Sequence, residues 1–169
     1  MRLKQIVLVI QVVFLISISN NGYAVEIGDK LPNIVGKNMD GSIFSLSRAE
    51  KKPKIVNFFW VLCEPCKKEM PMLSKKEKKF SNVSFYSVHA EANPDTSENY
   101  KIKDIKSFLK KLTGYPDNVI LGSDRLKHVY SIKALPVTFL VNKENVVENI
   151  LTGYNIKTVK KMESWLIKQ

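Results

Sequence analysis

Two cysteines, two histidines and three arginines are all that a chain of 169 residues holds of those types. So few thiols exclude a small scaffold stapled by several disulfides. Two cysteines with the separate His89 and His128 also fall short of the four clustered ligands of a structural zinc site. Arginine occurs only at Arg2, Arg48 and Arg125, although the net charge is +11. Nucleic-acid surfaces usually combine arginine with exposed aromatics, so a nucleic-acid partner is not expected. The charge comes from lysine runs, "KKPK", "CKKEM" and "SKKEKKF", which read as a solvated basic coat with loose attraction to an anionic membrane surface. No repeat and no low-complexity tract is present, and 44 % of residues are hydrophobic, so the length suits one globular domain.

Long apolar runs are also missing. The longest spans residues 6–18, broken only by Gln11 and Ser17, and falls short of the roughly 20 residues a bilayer asks for. Arg2 and Lys4 precede it, and "SNNGYA" follows with Gly22 and Ala24 at the spacing a signal peptidase accepts. Residues 1–24 are therefore expected to be an export signal cleaved after Ala24, with a retained membrane anchor as the alternative. No cysteine near its end would carry a lipid. In either case residues 25–169 would form one domain outside the cytoplasm.

Within that domain the pattern alternates. "LPNIVGKNMDGSIFSLS" sets an Asp40-Gly41 turn between short apolar stretches and predicts a hairpin. "KIVNFFW" (residues 54–60) reads as a central strand. Met70, Leu73, Glu77 and Phe80 then recur near helical spacing, with Pro71 expected to interrupt and kink the helix. "VSFYSVHA" is a strand. A helix through Ile102, Ile105 and Leu109 stops at Gly114. "NVILG" is a short strand and "SDRLKHVYSI" a short helix. "VTFLV" and "VVENILTG" flank an "NKEN" turn, and a last helix carries Val159, Met162 and Leu166 on one face. Alternation first and a hairpin last predicts an α/β sandwich around a mixed sheet.

Both cysteines lie in "WVLCEPCKKEMP", residues 60–71. A structural disulfide there would close a loop too short to restrain much of the unfolded chain. A C-x-x-C beside a βαβ pattern instead points to redox chemistry. With Cys63 at the helix start and Cys66 one turn in, the i, i+3 spacing brings the two side chains together, within the span of about 4.4–6.8 Å between α-carbons that a disulfide needs. Helix-end amides, the helix dipole and the ammonium groups of Lys67 and Lys68 would favour a thiolate below the usual pKa of about 8.5. Cys63 is thus the expected nucleophile and Cys66 the resolving thiol.

"NFFWVLCEPCKKEMP", with "ALPVTFLV" far downstream, resembles the thioredoxin-like superfamily. The C-E-P-C dipeptide, the "LPN…DG…LS" segment and the signal resemble its extracytoplasmic TlpA/ResA-type branch, and the similarity runs from about residue 27 to the end. It implies a thioredoxin-like α/β/α sandwich with an added N-terminal β-hairpin. It also implies a thiol–disulfide oxidoreductase of reductive habit, often serving cytochrome c maturation, without cofactor or metal. Its partners would be protein thiols or disulfides and a membrane thiol-reducing donor, and the protein would be a monomer.

Carried over by position, Cys63 and Cys66 match the redox pair and Glu64 and Pro65 the dipeptide that tunes it. Pro136, after Leu135, matches the cis-proline that faces the disulfide and pairs with substrate backbone. Glu91 matches the place of an acidic residue near the cysteines; part-buried, it would shuttle the proton of Cys66, and an exposed loop acid is the alternative. His89 reads as a strand-end residue. Trp60 either shields the site or belongs to the core, with core expected. Two departures stand out: Leu62 where the family places Trp, and Val137 where it favours Thr. Both make the face that meets substrate more apolar.

Rivals remain open at this level. An oxidant or isomerase differs only in reduction potential. A peroxiredoxin expects a proline and threonine pattern before its cysteine, which "FFWVL" lacks. A copper-binding thioredoxin-fold chaperone expects three residues between its cysteines, where this chain has two.

Overall fold

A computed structural model describes residues 24–90, 98–123 and 125–169. Seven strands and four helices follow one another as β1 (Val35–Asn38), β2 (Ile43–Ser45), β3 (Lys54–Phe59), α1 (Glu64–Lys79), β4 (Ser84–His89), α2 (Glu98–Lys110), β5 (Asn118–Gly122), α3 (Leu126–Val129), β6 (Val137–Val141), β7 (Val147–Thr152) and α4 (Ile156–Leu166). One mixed sheet takes them in the order β2-β1-β5-β4-β3-β6-β7. β3, β4 and β5 are parallel, and β6, β7, β1 and β2 each join antiparallel. The hairpin expected at Asp40-Gly41 is β1–β2, which extends the main sheet beyond β5. Its turn is an Asx type, with Asp40 Oδ1 accepting the Ser42 N–H at 2.9 Å and Gly41 at φ +91°.

β3 is central because every one of its residues is buried. Ile55, Val56, Phe58 and Phe59 lose their water on both faces of the sheet, worth roughly 1.5–3 kcal/mol each. On one face Ile55 packs with Leu73 of α1 and Met162, Trp165 and Leu166 of α4, while Phe59 packs with Cys66, Met70 and Ile105 of α1 and α2. The other face is covered more thinly. Leu31, Ile34, Leu46 and the short α3, with Leu126 and neighbouring Tyr130, close over Val56, Phe58 and Phe139. The Tyr130 hydroxyl ties the two coverings together by donating to the carbonyl of Pro32.

Two expectations need correction. α1 runs unbroken through Pro71 to Lys79. Proline removes one N–H from the helix ladder, and burial of Met70 and Leu73 on either side holds the helix across that gap. Trp60 does not join the core. β3 ends at Phe59, and the backbone turns at once, with the Cys63 N–H donating to the Trp60 carbonyl at 3.1 Å, so the indole stays half-buried at the rim.

The hairpin docks onto β5 through glycine. Gly36 faces Gly122 in the ladder, and a Cβ built on Gly36 would lie 2.3 Å from the Leu121 carbonyl oxygen. Gly36→Ala should therefore lower stability by about 1–3 kcal/mol, read as a fall in the urea midpoint. An unchanged midpoint would mean the hairpin contributes nothing to the cooperative unit.

Candidate active site

Cys63 is the N-cap of α1, and its sulfur accepts the Cys66 N–H at 3.3 Å. Pro65 occupies the first turn, where its missing N–H costs nothing. The two cysteines form a disulfide with 2.05 Å between sulfurs and 5.2 Å between α-carbons. Cys66 is fully buried, whereas Cys63 is part-exposed. Only Cys63 can meet an incoming sulfur. Of the nearby lysines, Lys67 is paired with Glu64 on the solvent side, which leaves the helix-end amides as the principal local positive field.

The Leu135–Pro136 peptide bond is cis. Pro136 is buried and its carbonyl accepts the Gly153 N–H at 2.8 Å, so the end of β7 braces this loop. Leu135, Val61 and Cys63 pack against the same cluster of side chains, bringing the proline loop to the disulfide. Leu62 stands out into solvent at 69 % exposure beside them. Glu91 lies outside the described residues. His89 ends β4, buried against Phe59 at 5.4 Å between ring centroids, and among the described residues neither ring nitrogen has a hydrogen-bond partner. Burial, and then the positive charge of Lys101, lowers its pKa from 6.5 to about 4, so it is a neutral imidazole at ordinary pH. Among the described residues no three His, Cys, Asp or Glu side chains gather as a metal site.

The residue that sequence reasoning missed is Glu69. It sits one helical turn beyond Cys66, on the face that also carries Met70 and Leu73, and is 3 % exposed. Beneath it a polar row crosses the middle of the sheet, with Ser87, Asn57 and Thr138 in register on β4, β3 and β6. Asn57 Nδ2 donates to Glu69 Oε2 at 2.8 Å and to Thr138 Oγ1 at 3.0 Å, and the Thr138 hydroxyl donates to Glu69 Oε1 at 3.2 Å. Burial raises the Glu69 pKa, and the two hydrogen bonds only partly oppose it, leaving a value moved from 4.5 to about 7. The signal was there to find. An acid at Cys66 plus three has to lie on the buried face of the helix that the cysteines start.

A dithiol–disulfide at the N-terminus of a helix, below a cis-proline loop and on a mixed sheet of this order, defines a thioredoxin-like redox enzyme. The AhpC/TSA family profile matches residues 27–150. The thiol-disulfide oxidoreductase ResA of Bacillus subtilis is 32 % identical over 129 residues, covering 75 % of this chain and 67 % of that one. The thioredoxin-like protein YneN of the same organism is 25 % identical over 151 residues, covering 88 % and 83 %. Among solved structures, StoA of Bacillus subtilis superposes with a TM-score of 0.59 at 24 % identity, covering 81 % of this chain and 98 % of that one. A thioredoxin-family thiol:disulfide interchange protein of Chlorobium tepidum gives 0.64 at 21 %, covering 86 % and 98 %. The chain belongs to the AhpC/TSA family, as a thioredoxin-like protein of TlpA/ResA type.

Glu69 has a testable thermodynamic signature. Its carboxyl ionises at 4.5 when unfolded and at about 7 when folded, so the folded state binds more protons between those values. Ionisation thus works against folding, and this penalty grows as pH rises through that window. Glu69→Gln removes it. Denaturant unfolding should show the variant gaining on wild type by up to about 3 kcal/mol between pH 4.5 and 7.5. A pH-independent difference would place the carboxyl in water.

Proposed function

We propose that this protein is an extracytoplasmic thiol–disulfide oxidoreductase that reduces protein disulfides. The observation that carries the reading is a part-exposed Cys63 at a helix end, bonded to a buried Cys66 with a buried acid one turn further on. In the dithiol form the Cys63 thiolate attacks one sulfur of a substrate disulfide, forming a mixed disulfide and releasing a substrate thiolate. Cys66 then gives up its proton to Glu69 and attacks Cys63 Sγ. The mixed disulfide breaks, the second substrate thiolate leaves and takes a proton, and the enzyme is left as the disulfide. Two electrons have passed to the substrate, and a membrane thiol donor restores the dithiol. A carboxyl with a pKa near 7 suits such a proton acceptor at neutral pH. Glu64 and Pro65 shape the helix end that holds the thiolate.

Substrate backbone would pair at the cis-proline loop, with Leu62, Trp60 and Leu135 as the apolar surround. Disulfides between the haem-binding cysteines of an apocytochrome c are the substrate class that the resemblance implies. Thiol–disulfide exchange is supported by the likeness to ResA, named a thiol-disulfide oxidoreductase, and the reductive direction is what the family resemblance implies. Placement outside the cytoplasm is supported by the basic and apolar residues 1–24. A domain beginning at residue 25 is supported by Val25, the first buried residue of the described chain. Among the described residues no helix is long and apolar enough to cross a membrane.

Cys63→Ser should abolish insulin-disulfide reduction, and retained turnover would refute the nucleophile. Cys66→Ser should accumulate mixed disulfides through Cys63, recovered by mass spectrometry; no recoverable adduct would overturn the resolving role. Glu69→Gln should slow resolution of the mixed disulfide by about 10²-fold at pH 7. An effect of that size in Glu91→Gln, with none in Glu69→Gln, would move the proton acceptor to Glu91.

A further inference from the structure

A second polar feature lies at the end of the six-residue β3 farthest from the disulfide. There a cavity of about 600 Å³ opens between residues 30–33, the turn after β2 and the β6–β7 turn. Lys54, the first residue of β3, lines it and is only 4 % exposed. Its side chain shares a face with Val56 and Phe58, so it leaves the sheet on the thinly covered side and reaches the cavity that Leu46 and Ala49 also line. Among the described residues no carboxylate and no hydrogen-bond acceptor meets its ammonium. Burial accordingly lowers its proton affinity.

The stem of Lys54 is buried while its ammonium tip reaches the cavity, where no acceptor among the described residues meets it. The surroundings make the deficit larger. Lys30, Lys51 and Lys143 also line the cavity, against two acids, Glu50 and Glu144. Glu50 is taken by Lys52 at 2.6 Å, and Glu144 sits 3.9 Å from Lys143. With Lys54 counted, four lysines face two acids, so the wall carries an excess of two positive charges. Leu31, Pro32, Leu46 and Ala49 add apolar lining to the same cavity. Space for far more than a bare oxyanion, with charged and apolar side chains in one lining, suits an anionic head on an organic body.

We infer that this cavity binds an organic phosphate ester, its phosphate held by Lys54 and the neighbouring lysines and its carrier lying on the apolar lining. A phosphate dianion matches the excess charge, and its oxygens can accept from several ammonium groups at once. The inference is independent of the thiol chemistry, and the ester should bind Cys63→Ser as tightly as wild type.

The test titrates the full chain with glycerol 3-phosphate at constant ionic strength, by calorimetry and by the rise in thermal midpoint that any native-state ligand produces. Saturable binding of one molecule per chain is expected. Lys54→Met should weaken it by about tenfold or more, Lys54→Arg by less than about threefold, and the exposed control Lys103→Met not at all. No saturable binding to wild type, or equal binding to Lys54→Met, overturns the inference. Should Lys54→Met not fold, reductively ¹³C-methylated wild type gives the answer: the dimethyl-Lys54 resonance, assigned by its loss in Lys54→Arg, must move with glycerol 3-phosphate, and a stationary resonance overturns the inference. Phosphatidylcholine vesicles with and without phosphatidic acid separate the sources. Lys54-dependent capture that requires phosphatidic acid identifies a lipid headgroup, binding of glycerol 3-phosphate alone identifies a soluble ester, and both support the site.

Discussion

Burial of β3 along its whole length is the constraint on which the rest of the molecule depends. A strand that meets no solvent between its ends can meet an outside partner only at those ends. At Phe59 the chain leaves the sheet, turns through three residues and starts α1, so the helix must begin at the rim. Cys63 then caps that helix because its sulfur can accept the Cys66 N–H. Placement, accessibility and electrostatic bias of the first sulfur all follow from where the strand stops. At the other end the same burial drags a lysine under the covering segment.

The interior below the disulfide shows how such a site is tuned. Glu69 faces two opposed effects. Loss of water favours the neutral acid, while donation from Asn57 and Thr138 favours the carboxylate. Hydrogen bonds to a charged group are worth about 1.5–3 kcal/mol each. The net rise from 4.5 to about 7 corresponds to about 3 kcal/mol in the other direction, so dehydration wins even against both donors. Asn57 supplies that donor from the centre of an otherwise apolar strand. Among the described residues its own Oδ1 and the Ser87 hydroxyl have no partner. The sheet thus keeps polar groups in its middle at a real cost in stability, directly under the helix that carries the thiols.

Much of this was readable from residue order. Alternation located the central strands, "CEPC" located the reagent, and Asp40-Gly41 located the hairpin, because periodicity and turn chemistry are local properties. The cis bond at Pro136 came only through the resemblance, since nothing local distinguishes it from an ordinary strand-start proline. Glu69 was hidden by a simpler difficulty. The apolar spacing through Met70 and Leu73 marks the buried face by its hydrophobic members alone, and a carboxylate beside them carries no apolar signal, although Cys66 shares its face. Trp60 misled in the opposite sense, as a large aromatic left half-wet because the strand ends one residue too soon to bury it. Lys54 read as one more member of a lysine run. Which lysine of a run goes under the covering segment is decided by tertiary contacts that no local pattern encodes.

His89 and Glu69 sit on the same face of the sheet with displacements of opposite sign, the imidazole falling from 6.5 to about 4 and the carboxyl climbing from 4.5 to about 7. Between about pH 4.5 and 6.5 the unfolded chain holds imidazolium and carboxylate, and the native chain holds imidazole and carboxylic acid. As far as these two groups go, collapse of the chain relocates one proton from nitrogen to oxygen and exchanges none with the buffer. Mild acidification would leave that pair's contribution to the folding equilibrium flat.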